Sequence, residues 1–264
     1  MSSPGSTSRM LLSGAAFSDI TYSHDATVAA FKSYFEFLTK MYMDPDAVKT
    51  PPVSGWEHIT RESMQAIGKS KEVINLLRHL PYVSQFLGRP ETHRRKAHDL
   101  AAHPTLNGYD VSCTTEFEHT PPHVIGISEG PYKMLLDTKL GVVYFTGCPP
   151  VIHEDSSHPF PPVQADAVDY ASEEELEWRE SPAWPISEFF EVLKYHFARL
   201  DYVPLSRRCV EEGWVGNEGD VPDTLGACRV AKEIFVRHDW PDLGKFRKYD
   251  SMAELEREIP RKPQ

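Results

Sequence analysis

Gly126-Ile127-Ser128-Glu129-Gly130 is a literal G-x-S-x-G. In esterases and lipases that pentapeptide forms a tight strand-to-helix turn, with glycines clearing space for the backbone and the serine projecting into the site. A base and an orienting acid would follow later in the chain, with His196 or His238 as base and Asp166, Asp169 or Glu191 as orienter. The setting predicts otherwise. A hydrolase sheet needs alternating strands and helices before the serine and a glycine-rich oxyanion loop, whereas the chain before Tyr109 reads as mostly helical. Pro131 can open a helix, but Pro131 to Leu136 is short and runs into a glycine-containing turn before another β-rich stretch. A hairpin is therefore expected, with Ser128 in a turn, and a serine hydrolase is the alternative.

The remaining candidate clusters read as structural. His153-Glu154-Asp155-Ser156-Ser157-His158 places its histidines five residues apart, not the four of H-E-x-x-H, and prolines flank it, so a solvated loop is expected. His93, His98 and His103 are also spaced by five around Arg94, Arg95 and Lys96, the pattern of a solvated face. His119 and His123 are separated by Pro121 and Pro122, which prevents helical convergence. Gly213, Gly216 and Gly219 lie among acids that repel phosphate. Cys113, Cys148, Cys209 and Cys228 form no C-x-x-C pair. No metal site and no cofactor is expected.

The elements that must position these residues divide the chain in three. Val28, Phe31, Phe35, Leu38 and Tyr42 form a helical stripe within Ser23 to Met43, Thr60 opens a short helix ending at Gly68, and Ser70 caps another stopped by Pro81. Tyr109 to Phe117, His123 to Ser128, Met134 to Asp137 and Val142 to Phe145 read as strands, the last three forming a meander. Residues 148–183 are rich in proline and acid and read as a long surface insert, mobile and able to bind a partner. Ser187 caps a helix striped by Phe189, Phe190, Leu193, Phe197 and Leu200. Thr224 to His238 forms a further helix, and Ser251 with Glu254 reads as a capping box opening the last. The expected architecture is a single α+β domain over residues 14–264, an antiparallel meander covered by amphipathic helices, behind a disordered tail of residues 1–13.

A chain of 264 residues buries roughly three quarters of its unfolded surface and needs no staples. Its formal charge of −11 argues against a protein devoted to neutralising nucleic-acid phosphates. With no run of 18 apolar residues and no signal-peptide core, neither a membrane span nor secretion is expected, and unpaired cysteines suit the cytosol.

Three pieces carry a family resemblance: Ile125-Gly126 before the turn Glu129-Gly130, Leu135-Leu136-Asp137 leading to Gly141-Val142-Val143-Tyr144, and the helix Ile186 to Leu200. Together they resemble the signature of the SUKH superfamily, the fold of the yeast cell-wall-synthesis regulator and of many bacterial immunity proteins. The proline-rich insert and the FFEVLKYHF helix are similar to those of filamentous-fungal proteins. The family shows a glycine pair where this chain has Glu129-Gly130-Pro131, and the chain after Val203 has no counterpart in it. The resemblance implies an α+β domain that holds other proteins and transforms no small molecule. The expected contact surface is the hairpin edge from Glu129 to Asp137, with the acidic insert as an arm steering a basic partner and Trp178 and Trp184 either anchoring it or packing under the insert. A tailoring enzyme of a fungal secondary-metabolite pathway is the other alternative.

Overall fold

Ser23 turns its hydroxyl onto the backbone N–H of Ala26, capping α1 (His24–Met41). The computed structural model describes residues 17–64, 68–83, 120–127, 133–163, 167, 170–214 and 222–259. The tail 1–13, the expected strand 109–117, the histidine and arginine cluster 93–103, His119, Ser128, Glu129, Asp166, Asp169, Gly216 and Gly219 lie outside them. After α1, a 3-10 turn leads to β1 (Val48–Lys49), which pairs antiparallel with β2 (Tyr82–Val83) across α2 (Lys71–His79). Ser70 caps α2 as expected, accepting from Val73 N at 3.2 Å. Residues 61–64 form turns where a helix from Thr60 was expected; the Thr60 hydroxyl accepts from the Ser63 N–H as a cap does, but the Ser63 hydroxyl donates back to the His58 carbonyl, a local bond that competes with helix formation.

The centre is a four-stranded antiparallel sheet in the order β3 (Val124–Gly126), β4 (Lys133–Asp137), β5 (Val142–Thr146), β6 (Ala183–Pro185). The meander is thus borne out, and β6 adds a fourth strand. The register places Ile125, Met134, Leu136, Val143, Phe145 and Trp184 on one face. That face packs on α5 (Ile186–Ala198), which in turn packs on α1 through the ring pairs Phe31–Phe190 and Tyr42–Phe197. Each such ring contributes roughly 1.5–3 kcal/mol by leaving water. Helix α5 begins at Ile186, not after a Ser187 cap, because Pro185 already supplies an extended entry.

The chain then forms a hairpin, β7 (Tyr202–Pro204) and β8 (Val210–Glu212), and the helices α6 (Pro222–Arg237) and α7 (Lys248–Glu258). Ser251 lies inside α7, its hydroxyl donating to the Lys248 carbonyl, so it is not a cap. Lys248 is itself buried and donates to the carbonyls of Thr39 and Met43, tying α7 to the end of α1. The core runs without a break from α1 to Leu255.

The second sheet face carries Val124, Leu135, Val142, Tyr144 and Ala183, all buried. The described residues of 148–183 cover it. The insert holds two single-turn helices, α3 (Pro150–His153) and α4 (Leu176–Arg179), and a bridge in which Val163 N donates to Ala183 O at 2.7 Å. Helix α3 forms despite its prolines because Pro150 occupies a first-turn position that needs no N–H. The described part of the insert is a packed layer in place of the expected mobile arm.

Candidate functional site

Asp137 ends β4 on the outer sheet face and has no exposed surface. Its Oδ1 accepts from the backbone N–H groups of Lys139 and Leu140 at 2.7 and 2.9 Å, fixing the turn into β5. Its Oδ2 accepts from Arg179 Nη1 at 3.0 Å, and His123 Nε2 stands 3.7 Å away. Arg179 reaches down from α4, donating from Nε to Glu175 and from Nη1 to the Tyr144 hydroxyl as well. Its guanidinium lies 4.2 Å from the centre of the Trp178 ring. Burial disfavours the arginine's charge, yet Glu175, Tyr144 and Asp137 together hold its pKa above the ordinary value. Desolvation pushes the Tyr144 phenol up, and it shares a 3.0 Å hydrogen bond with the Tyr170 hydroxyl. Burial, set against the pull of Asp137, lowers the His123 pKa.

Above this network opens a cleft of about 490 Å³. Phe17, Tyr144 and Tyr170 supply aromatic walls, Pro162, Val163 and Pro182 aliphatic ones, and Arg179 and Glu180 the charges. Phe17 meets Tyr170 edge-on at 5.2 Å. Glu173, Glu174, Glu177 and Glu180 are exposed on the same insert segment, so its outer surface is strongly acidic.

A second cluster joins the insert to α5. His196 is fully buried, its Nδ1 2.9 Å from Asp201 Oδ2, and among the described residues its Nε2 has no hydrogen-bond partner. The His158 ring stacks on it, 6.1 Å between centres and 11° from parallel. Ser157 Oγ lies 2.5 Å from Asp155 Oδ1 and 2.7 Å from the Tyr195 hydroxyl, and Arg199 reaches Asp155, Ser157 and Tyr195. The 153–158 stretch, expected to be solvated, is in part built into the molecule, because the aromatic edge of Tyr195 and the ring of His196 give His158 an apolar seat.

No family model, curated protein or solved structure matches the chain. Function must be read from this geometry.

Of the residues expected at a contact surface, Asp137 and Trp184 lie inside. Trp184 is 1% exposed, its indole N–H donating to the Phe160 carbonyl at 3.0 Å, and Asp137 serves the turn and Arg179. Asp137 is thereby corrected from surface to interior, and for Trp184 the alternative of packing under the insert is the one observed. Trp178 is half-buried, edge-on to Tyr144 at 5.1 Å, and Glu129 is outside the described residues. Gly126 ends β3, and the next described element is the antiparallel strand β4, which occupies Lys133–Asp137 where the elbow requires a helix. His196 and His238 are engaged elsewhere, His238 with Glu254 at 2.6 Å. Among the described residues no group of three metal-ligating side chains converges, and no helix is long and apolar enough to cross a membrane.

Tyr170 and Arg179 escaped the sequence reading. One signal pointed to them: Val142-Val143-Tyr144-Phe145 is apolar at every position, the mark of a strand covered on both faces. Something had to cover the outer face, and the insert was the chain available.

Proposed function

We propose that the chain is a non-enzymatic interaction or regulatory protein that holds a basic segment of a protein partner against the cleft between the outer sheet face and the insert. The observation that carries this reading is the state of the cleft's polar groups. Arg179, Asp137, Glu175 and the two tyrosine hydroxyls satisfy one another, and among the described residues the cleft wall holds neither histidine nor thiol. Such a wall offers shape, aromatic surface and charge, with no base beside a nucleophile. The acidic rim favours a cationic partner and speeds its approach. The resemblance to SUKH proteins points the same way, and a cytosolic setting in a fungal-type cell belongs to the same proposal.

The test is capture of partners from cell extract by the full chain and by the charge reversal Glu177→Lys with Glu180→Lys, followed by reconstitution with each purified partner. Both glutamates are exposed, so the variant is expected to fold. Loss of a basic partner, with binding that weakens as salt rises, supports the proposal. Equal capture by both proteins, or binding insensitive to salt, refutes it.

A further inference from the structure

We infer that the stacked pair His158 and His196 is an acid-sensitive latch that holds the wall of the cleft down on the sheet and releases it when His158 gains a proton. The inference rests on the cleft reading above for its consequence, but not for its mechanism.

The latch is a chain of contacts leading from the imidazoles to the cleft. His158 is 7% exposed, and its Nδ1 accepts the Phe160 N–H at 3.0 Å. The carbonyl of Phe160 accepts the indole N–H of Trp184 in β6. Three residues on, Val163 bonds to Ala183 of the same strand, and Pro162 and Val163 form part of the cleft wall. The wall is therefore tied to the sheet at both ends of 160–163, and the residue that makes the first tie, Phe160, is itself held through its N–H by the lone pair at His158 Nδ1.

A proton on Nδ1 removes that lone pair. The Phe160 N–H then faces another N–H, and Nδ1–H competes with the Trp184 indole for the Phe160 carbonyl, 3.2 Å from Nδ1. The groups facing His158 divide over the charge: the Phe160 and Glu191 backbones and Asp155 favour it, while burial and the His196 ring oppose it. From α5 come the His196 ring stacked on it, the Tyr195 ring edge-on at 4.6 Å and the backbone of Glu191. From its own loop come Asp155 and the Phe160 backbone. Asp155, the nearby carboxylate, is bound to Ser157 and Arg199, and Asp201 is bound to His196 and Arg199. Burial lowers the His158 pKa against these partners, so the neutral ring belongs to the closed arrangement. The sign follows: a folded-state pKa below the unfolded value of about 6.5 means stability is full above that pH and falls as pH drops through the lower value.

The experiment is hydrogen exchange of the full chain between pH 7.5 and 5, corrected for intrinsic rates and read at residues 158–163, with Phe190 and Phe197 of α5 as the core reference. One linked proton allows at most about a tenfold loss of protection per pH unit, and a loss of about tenfold across the window is expected at 158–163 with the reference unchanged. His158→Asn places an amide oxygen near the Nδ1 position without a titrating ring, and its protection should be flat with pH. Should that variant fail to fold, an NMR titration of the wild-type protein decides, because the Trp184 indole N–H signal must move with the His158 ring. A Trp184 signal indifferent to the His158 titration, or protection at 158–163 constant down to pH 5, overturns the latch. Neither readout needs a partner, so failure to find one refutes the cleft reading alone.

Discussion

Arg179→Met is the sharpest perturbation of this fold. Methionine keeps much of the aliphatic stem against Trp178 but removes the charge that faces Asp137 at 3.0 Å and Glu175 at 2.5 Å. Both Arg179 and Asp137 are almost wholly inaccessible, and leaving one member of a buried pair behind costs about 3–5 kcal/mol. Glu175 keeps 18% of its side-chain surface, so solvent screens it and its share is about 0–1 kcal/mol. At roughly 2–4 °C per kcal/mol for a chain of this size, the combined loss of about 3–6 kcal/mol should lower the melting temperature by about 6–24 °C. Urea unfolding followed by circular dichroism, with a thermal scan beside it, reads both quantities. Asp137→Asn retains a carbonyl oxygen for the N–H groups of Lys139 and Leu140 while discarding the charge. Combined with Arg179→Met, it should cost at least about 1.5 kcal/mol less than the two single losses added together, because the orphaned carboxylate is gone. Additive losses, or a single Arg179→Met loss under about 1 kcal/mol, would show that the insert is not held down by this pair.

Three further outcomes test other parts of the structure. Gly141 turns between β4 and β5 at φ +72°, and an added Cβ would stand 3.0 Å from the Tyr22 backbone nitrogen; Gly141→Ala should therefore lose about 1–2 kcal/mol in urea unfolding, and a neutral result would place the turn elsewhere. Lys248→Met leaves the Thr39 and Met43 carbonyls without their 2.7 Å donor, so about 1–3 kcal/mol should be lost in the same assay, whereas unchanged stability would mean water replaces the ammonium there. Burial pushes the Cys148 thiol well up and, with help from Glu211, the Cys228 thiol up to about 11; iodoacetamide at pH 8 should accordingly label half-buried Cys209 before either, and peptide mapping that finds Cys148 or Cys228 modified first contradicts their burial.

Legibility in the sequence followed the kind of force at work. The α1 stripe, the Ser70 cap and the β3–β4–β5 meander were readable because periodicity and local capping fix them within a few residues. Strand β6 was not, since Ala183-Trp184-Pro185 is too short to show alternation and becomes a strand only by pairing with β5. The same holds for the hairpin of β7 and β8. Trp184 and Asp137 look like surface residues in a hydrophilic context, and only the register, which puts them on opposite sheet faces, shows that both are interior. Low apolar content made the insert look mobile. Its hold on the sheet draws on an arginine, two tyrosine hydroxyls and two carboxylates, and the contacts of Arg179 with Asp137 and Tyr144 join residues more than thirty positions apart.

That manner of attachment changes what a deletion can reveal. Removing residues 148–183 would expose Val124, Leu135, Val142 and Tyr144 as one apolar sheet face and strip Asp137 of its arginine. The truncated chain would aggregate or unfold for reasons unrelated to binding, so lost partners would carry no information about the acidic surface. Point changes on the solvent side separate the two roles, because Glu177 and Glu180 face water while Arg179, one helical turn's width away, faces the sheet. The short helix α4 thus has a structural side that holds the layer down and an acidic side available to a partner. A variant that alters partner capture without moving the melting temperature acts on the second side, and one that shifts both acts through the first.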